Sequence, residues 1–155
     1  MKRIDVAALS ESRGSAYPAP FDQPCRARAR RSLGDAAGLT QFGVNLLTLP
    51  PGAWSSQRHW HSLEDEFVYV VAGEVILVTG AGEETLRAGD CAGFRAGDPD
   101  GHHLVNRSAA AALVLEIGTR AGDEDATDYP DIDMIYASGG AGYARRDGTP
   151  YRRKG

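Results

Sequence analysis

The sequence predicts an all-β domain, a small barrel of short antiparallel strands with an arm at each end. Apolar segments of strand length recur at residues 43–49, 66–71, 73–79 and 112–117, rich in the β-branched and aromatic types that fit a pleated surface. Glycines punctuate them, and Gly80-Ala81-Gly82 marks a tight hairpin. Between these segments lie histidines and a carboxylate on short stretches bounded by glycine. That placement suits residues converging from neighbouring strands on one point.

Residues 1–38 form the first arm. Tyr17-Pro18-Ala19-Pro20-Phe21 and Pro24 interrupt any helix there, and the segment shows no sustained helical period. It is expected to wrap the barrel and to supply an edge strand. Its arginines, Arg26, Arg28, Arg30 and Arg31, read as solvated side chains or as partners in intersubunit pairs.

Residues 39–119 form the barrel. His59 and His61 are two apart, so on a strand both leave the same face. The polar residues 62–65 turn the chain, and Glu66 opens the next strand beside the two histidines. Gly73 ends that strand. Residues 86–90 read as a turn, 91–94 as a short strand and 97–101 as a loop rich in turn formers. In the strand expected over 102–106, alternation puts His102, Leu104 and Asn106 on one face and His103 and Val105 on the other, so only one of the two histidines reaches the cluster.

Residues 120–155 form the second arm, a polar tail. It carries an acidic patch (Asp123, Glu124, Asp125, Asp128, Asp131, Asp133), a glycine-rich stretch and a basic end at Arg152-Arg153-Lys154.

The chain's 155 residues fit one domain with a sizeable core, and 25% charged residues is ordinary for a globular protein. A net charge of −4 and the absence of room for a helix-turn-helix argue against nucleic acid as a partner. No stretch approaches a membrane span, and the start lacks the apolar core of a signal peptide, so the expected location is the cytoplasm. Cys25 and Cys91 stand far apart outside any CxxC pattern and are read as free thiols.

Three imidazoles and one carboxylate on such a scaffold suit a single divalent transition ion. At these residues the chain resembles the cupin superfamily. The first cupin motif is matched by Gly52, His59-Trp60-His61, Glu66 and Gly73, and the second by Gly89, Gly97, His102 and Asn106. The resemblance spans roughly residues 39–119. It implies a jelly-roll barrel of six to eight strands, with His59, His61, Glu66 and His102 as ligands of one divalent ion, zinc, iron, manganese or nickel. It also implies a homodimer built through edge strands and exchanged arms. Three departures from the motifs concern the pocket rim: a first glycine-to-histidine gap one residue longer, Arg95 in place of proline, and a longer loop before His102.

Other residues have two readings each. Gln57 shares parity with His59 and His61 and is a candidate to face the cavity and bond a substrate, or else to pack in the barrel. Glu116 interrupts an apolar strand and is a candidate acid or base, or else a strand-edge carboxylate. His103 is assigned to the surface or to a supporting position, and Asn106 to fixing the loop or a histidine. Tyr69, Trp54 and Trp60 are assigned to packing or an interface, and Cys91 to the cavity wall or a small buried site.

Four protein ligands leave coordination positions open to a small oxygen-rich substrate. The expected function is therefore a metal-dependent enzyme, with sugar or sugar-phosphate isomerisation as the concrete form. The alternatives are a dioxygenase on the same four residues and a non-catalytic small-molecule-binding barrel. A phosphate-binding cluster is not evident within the barrel segments, although Arg58, Arg95 and Arg107 lie near the motifs.

Overall fold

The fold was analysed in a computed structural model that describes residues 3–152. Arg153 and Lys154 of the basic end lie outside the described residues. Antiparallel strands dominate, and among the described residues helix is limited to α1 (Leu33–Ala36) and three short 3-10 turns.

Thirteen strands are present among the described residues: β1 (Ser12–Arg13), β2 (Ala29–Ser32), β3 (Phe42–Leu49), β4 (Trp60–His61), β5 (Glu66–Ala72), β6 (Glu74–Thr79), β7 (Gly82–Arg87), β8 (Cys91–Phe94), β9 (His103–Val105), β10 (Ala112–Thr119), β11 (Thr127–Tyr129), β12 (Met134–Tyr136) and β13 (Tyr143–Ala144). They assemble into a six-stranded sheet in the order β1-β2-β3-β10-β5-β8, a three-stranded sheet β7-β6-β9 and a four-stranded sheet β13-β12-β11-β4. The result is a jelly-roll sandwich.

Alternation along the strands builds the main core. In β5 the inward residues are Glu66, Val68 and Val70, while Phe67, Tyr69 and Val71 face outward. Val68 and Val70 meet Leu47 and Leu49 of β3, Val114 of β10, Val75 and Leu77 of β6, Leu86 of β7 and Leu104 of β9. Leu47, Leu49, Val70 and Val114 are fully buried. Gly73 turns β5 into β6 with φ +78°, and a Cβ there would sit 3.0 Å from Ala112 Cα, so glycine is needed twice over.

The sequence reading missed β7, taking its end for the turn that actually follows at residues 88–90. β7 is largely exposed, with only Leu86 buried, and carries Glu83-Glu84, so its apolar signal is weak. Its evidence is long-range: residues 82–87 pair throughout with 74–79.

Both terminal segments are structural. β2 pairs with β3 along Ala29–Ser32, adding an edge to the large sheet. The C-terminal segment is not a polar tail, since β11 pairs with β4, setting Thr127 against His61 and Asp128 against Trp60. Together they contribute a second cluster, in which Tyr17 and Cys25 from the N-terminal side pack with Tyr129 and Met134 from the C-terminal side. Tyr143, Tyr136, Phe21 and Trp54 rest against it.

Candidate metal centre

Four side chains converge inside the barrel from separate pieces of backbone. Glu66 leads β5 on its inward face, His61 ends β4, and His59 and His102 face each other across an isolated antiparallel bridge. Glu66 Oε2 lies 3.0 Å from His102 Nε2, 3.4 Å from His59 Nε2 and 3.7 Å from His61 Nε2. Ligand atoms of His59, His61 and Glu66 all lie within 4.8 Å of one another, and His102 meets them through the carboxylate.

Hydrogen bonds fix which nitrogen of each ring points inward. His61 Nδ1 is 2.5 Å from Asp125 Oδ2, and His59 Nδ1 is 3.0 Å from the Gln57 carbonyl oxygen. A carboxylate and a carbonyl only accept, so both Nδ1 atoms donate and both Nε2 atoms present lone pairs to Glu66. His102 is oriented differently, stacked flat on Phe94 with ring centroids 3.4 Å apart. Glu66 Oε2 is buried without a hydrogen-bond partner among the described residues, as is His102 Nδ1.

The Nε2 lone pairs of His59 and His61 thus converge on a carboxylate oxygen that no well-aligned hydrogen bond satisfies, an arrangement a cation resolves. Ligands held at about 2.1 Å from one ion stand roughly 3.0–3.4 Å apart; the Glu66 separations from His102 and His59, 3.0 and 3.4 Å, fall in that range, and that from His61, 3.7 Å, lies just beyond it. The residues fit a divalent ion.

The titration of the ion-free cluster is set by burial and by the same neighbours. Burial works to raise the Glu66 carboxyl, but contacts with His102 and His59 outweigh it and hold it well below the usual carboxylate range. Burial, reinforced by neighbouring His59, lowers the His102 imidazole from its ordinary 6.5. Both therefore sit in their ligating forms at neutral pH.

Asp125 is the supporting residue that sequence reading missed. Besides His61 it accepts from Leu63 N at 2.8 Å and Ser62 Oγ at 3.1 Å. It lay within an acidic stretch assigned to a tail, and no local pattern links it to His61. Glu64 stands nearby, 4.0 Å from His61 Nδ1, and accepts from Ala121 N.

The cluster forms part of the wall of a cavity of about 630 Å³, lined also by Tyr17, Arg28, Arg30, Glu116, Tyr129 and Tyr143. A smaller cavity of about 340 Å³ touches the cluster from another side, with Trp60, Arg95, Asp98 and Asp100 on its wall. The departures noted at Arg95 and the loop before His102 therefore do fall on a rim of the site.

The remaining candidates separate clearly. Glu116 faces the larger cavity and receives two hydrogen bonds from Arg30, at 2.6 and 2.8 Å. Gln57 does not line either cavity; its amide donates to Phe21 O at 2.7 Å, because residues 55–58 are bends rather than a strand and parity fails there. His103 is buried rather than superficial, bonded to Ser56 O at 3.0 Å and edge-on to Trp54. Asn106 ties the loop, donating to Leu49 O and Ala110 O, and does not reach a histidine. Cys91 is exposed, contrary to the buried site expected for it, and Cys25 is buried; neither forms a disulfide. Most of the arginine run is not simply solvated: Arg28 is buried, Arg30 pairs with Glu116 and Arg31 with Glu11, while Arg26 pairs with Asp22 but stays exposed.

Comparison with known proteins decides the family. A cupin domain model matches residues 45–118. The structure of a sugar phosphate isomerase of the cupin superfamily from Silicibacter pomeroyi is 43% identical, covers 97% of each chain and superposes with a TM-score of 0.91. The chain belongs to the cupin superfamily. A protein from Acidithiobacillus ferrooxidans, provisionally described as a sugar phosphate isomerase, is similar to this cupin at 31% identity over 83% of this chain and 82% of the other, with a TM-score of 0.72. A predicted oxalate decarboxylase from Thermotoga maritima, 17% identical over 76% of this chain and 98% of its own, has a TM-score of 0.62 and shares the fold alone. A search of curated proteins finds no significant match to this cupin. No helix among the described residues is long and apolar enough to cross a membrane.

Proposed function

We propose that this cupin is a metal-dependent enzyme that isomerises a small sugar or sugar phosphate. The observation that carries the proposal is Glu66 Oε2, buried and unpartnered opposite three imidazole nitrogens, on the wall of a cavity of about 630 Å³. That volume suits a small ligand. Two solved structures that carry sugar phosphate isomerase names, at 43% and 31% identity, support the same choice.

His59, His61, Glu66 and His102 would hold one divalent ion, zinc, iron, manganese or nickel. Bound there, such an ion supplies Lewis-acid polarisation of a carbonyl oxygen. The chain's residues supply the rest. An aldose–ketose isomerisation moves a proton between adjacent carbons and another between their oxygens, so it consumes no oxidant. Glu116, on the cavity wall, is the proposed base: it takes the proton from the hydroxyl-bearing carbon and returns it to the former carbonyl carbon. Its two bonds from Arg30 orient the carboxylate. Tyr17 and Tyr143, whose hydroxyls burial keeps in the neutral form, are placed to hydrogen-bond substrate oxygens.

A homodimer is part of the proposal. Phe67, Tyr69 and Val71 stand 40%, 40% and 44% exposed on the outer face of β5, beside Leu115 and Ile117 of β10. A second copy would cover this face.

The test combines elemental analysis with a panel assay of pentoses, hexoses and their phosphates, run before and after chelation. Isomerase turnover that falls on chelation and returns with one equivalent of metal supports the reading. Oxygen uptake without isomerisation would make the protein a dioxygenase. Ligand binding indifferent to metal, without turnover, would make it a binding barrel.

A further inference from the structure

We infer that Arg28 is an anion-recognising residue of the large cavity, placed to take the phosphate of a phosphorylated substrate. The inference deepens the proposed isomerase function and rests on it for the identity of the substrate.

Arg28 belongs to the N-terminal segment, just before β2. Alternation turns it and Arg30 inward, since Arg30 pairs with the buried Leu47, whereas Arg31 pairs with Leu46 and turns out to Glu11. Arg28 and Arg30 both line the cavity that holds the candidate metal cluster.

The arginines of this run differ in their partners. Arg26, Arg30 and Arg31 each have a carboxylate within 3.1 Å or less. Arg28, 7% exposed and one of the chain's few buried charged residues, has none among the described residues. A guanidinium does not lose its proton, so a buried and unpaired one requires a counter-charge from elsewhere. Two guanidiniums face one carboxylate, Glu116, in this part of the wall. The nearby Tyr17 supplies no negative charge, because burial raises its phenol far above neutral pH.

The side chain is also aimed. Arg28 Nε donates to Gly14 O at 2.9 Å, while Gly14 N donates back to Arg28 O at 3.0 Å. Gly14 adopts φ +75°, a conformation that favours glycine, to make this reciprocal pair. The guanidinium lies 5.9 Å from the Tyr17 ring centroid. Nε is thus occupied and the two Nη groups have no partner among the described residues, which leaves the pair of donors that grips a phosphate with two parallel bonds. Arg28 and the candidate metal cluster line the same cavity, so a sugar phosphate held here by its phosphate would extend into the space the cluster faces.

The test titrates inorganic phosphate into the full-length protein by calorimetry, in wild type, Arg28→Gln and Arg28→Lys, each with and without chelation. Wild type is expected to bind phosphate in both conditions. Arg28→Gln should weaken binding about tenfold or more, as loss of a charge-assisted two-point contact implies. Arg28→Lys should recover part of the affinity and serves as the folding control, with circular dichroism on both variants. Absence of phosphate binding by wild type, or equal affinity in folded Arg28→Gln, would overturn the inference. So would binding that vanishes on chelation yet ignores position 28, because the anion would then sit on the metal. Phosphate binding at Arg28 in a protein that takes up no metal would instead defeat the isomerase reading and leave the anion site standing.

Discussion

Replacing Asp125 by asparagine should weaken metal binding more than its distance from the ion would suggest. The carboxylate accepts from three donors: His61 Nδ1 at 2.5 Å, Leu63 N at 2.8 Å and Ser62 Oγ at 3.1 Å. An asparagine has one accepting oxygen and one donating nitrogen, so it cannot satisfy all three. If its oxygen serves Leu63 and Ser62, its amide nitrogen faces His61 Nδ1. That forces the proton onto Nε2, the atom aimed at Glu66, and removes the lone pair an ion requires. If the oxygen turns to His61, the amide confronts the backbone N–H of Leu63 instead.

Removing such a carboxylate partner of a metal-bound histidine typically costs about 10–100-fold in affinity, or roughly 1.4–2.7 kcal/mol. The wrong tautomer places Asp125→Asn toward the larger end. Asp125→Ala, which leaves His61 free to choose its tautomer, belongs toward the smaller. The assay is a competition titration of zinc or manganese against a chromophoric chelator near neutral pH, with Asp123→Asn as a control on an exposed neighbour. Affinities of both Asp125 variants within about twofold of wild type would show that the Asp125–His61 pair does not support a metal ligand.

Loss of a candidate ligand should be more severe: His59→Ala and His102→Ala should abolish stoichiometric metal while keeping a folded barrel, and His103→Ala should retain it, all read by elemental mass spectrometry. Stability of the metal-free protein should decline as pH falls below about 6.5, because burial lowers both His102 and His103 from that value and the unfolded chain takes up the protons first. A further decline should follow below the ordinary carboxylate value of 4.5, as the depressed Glu66 is protonated, and melting temperatures from pH 8 to pH 3 check both limbs. Glu116→Gln should destabilise the fold by about 1–3 kcal/mol, since it breaks two charge-assisted bonds to Arg30 in a partly buried pair; it should also remove isomerase turnover while sparing metal content. Tyr69→Lys on the outer sheet face should convert the proposed dimer to monomer in analytical ultracentrifugation.

The candidate metal cluster was legible because strand alternation and motif spacing are local properties. Glu66 is inward for the same reason as Val68 and Val70, and His102 separates from His103 by one residue of alternation. The same logic misled at Gln57, where the backbone bends and two-residue parity carries no meaning. What escaped the sequence is long-range. Asp125 meets His61 across 64 positions, and Arg30 meets Glu116 across 86. A charged residue in a terminal segment reads as solvated until its partner is known.

That blind spot has a functional meaning. The barrel strands provide the candidate metal ligands, which many reactions can share. The terminal segments provide Arg28, Arg30, Asp125, Tyr129 and Tyr143, which line the cavity beside those ligands. Substrate selection is therefore expected to reside in the arms. Exchanging Arg28 or the tyrosines should change which molecule is accepted while leaving metal affinity near wild type. Exchanging Asp125 should do the reverse, because it belongs to the arm in sequence but bonds the candidate ligand His61. A screen that scores metal affinity and substrate range separately would expose that division, and variants at Arg28 that shift metal affinity as strongly as those at Asp125 would refute it.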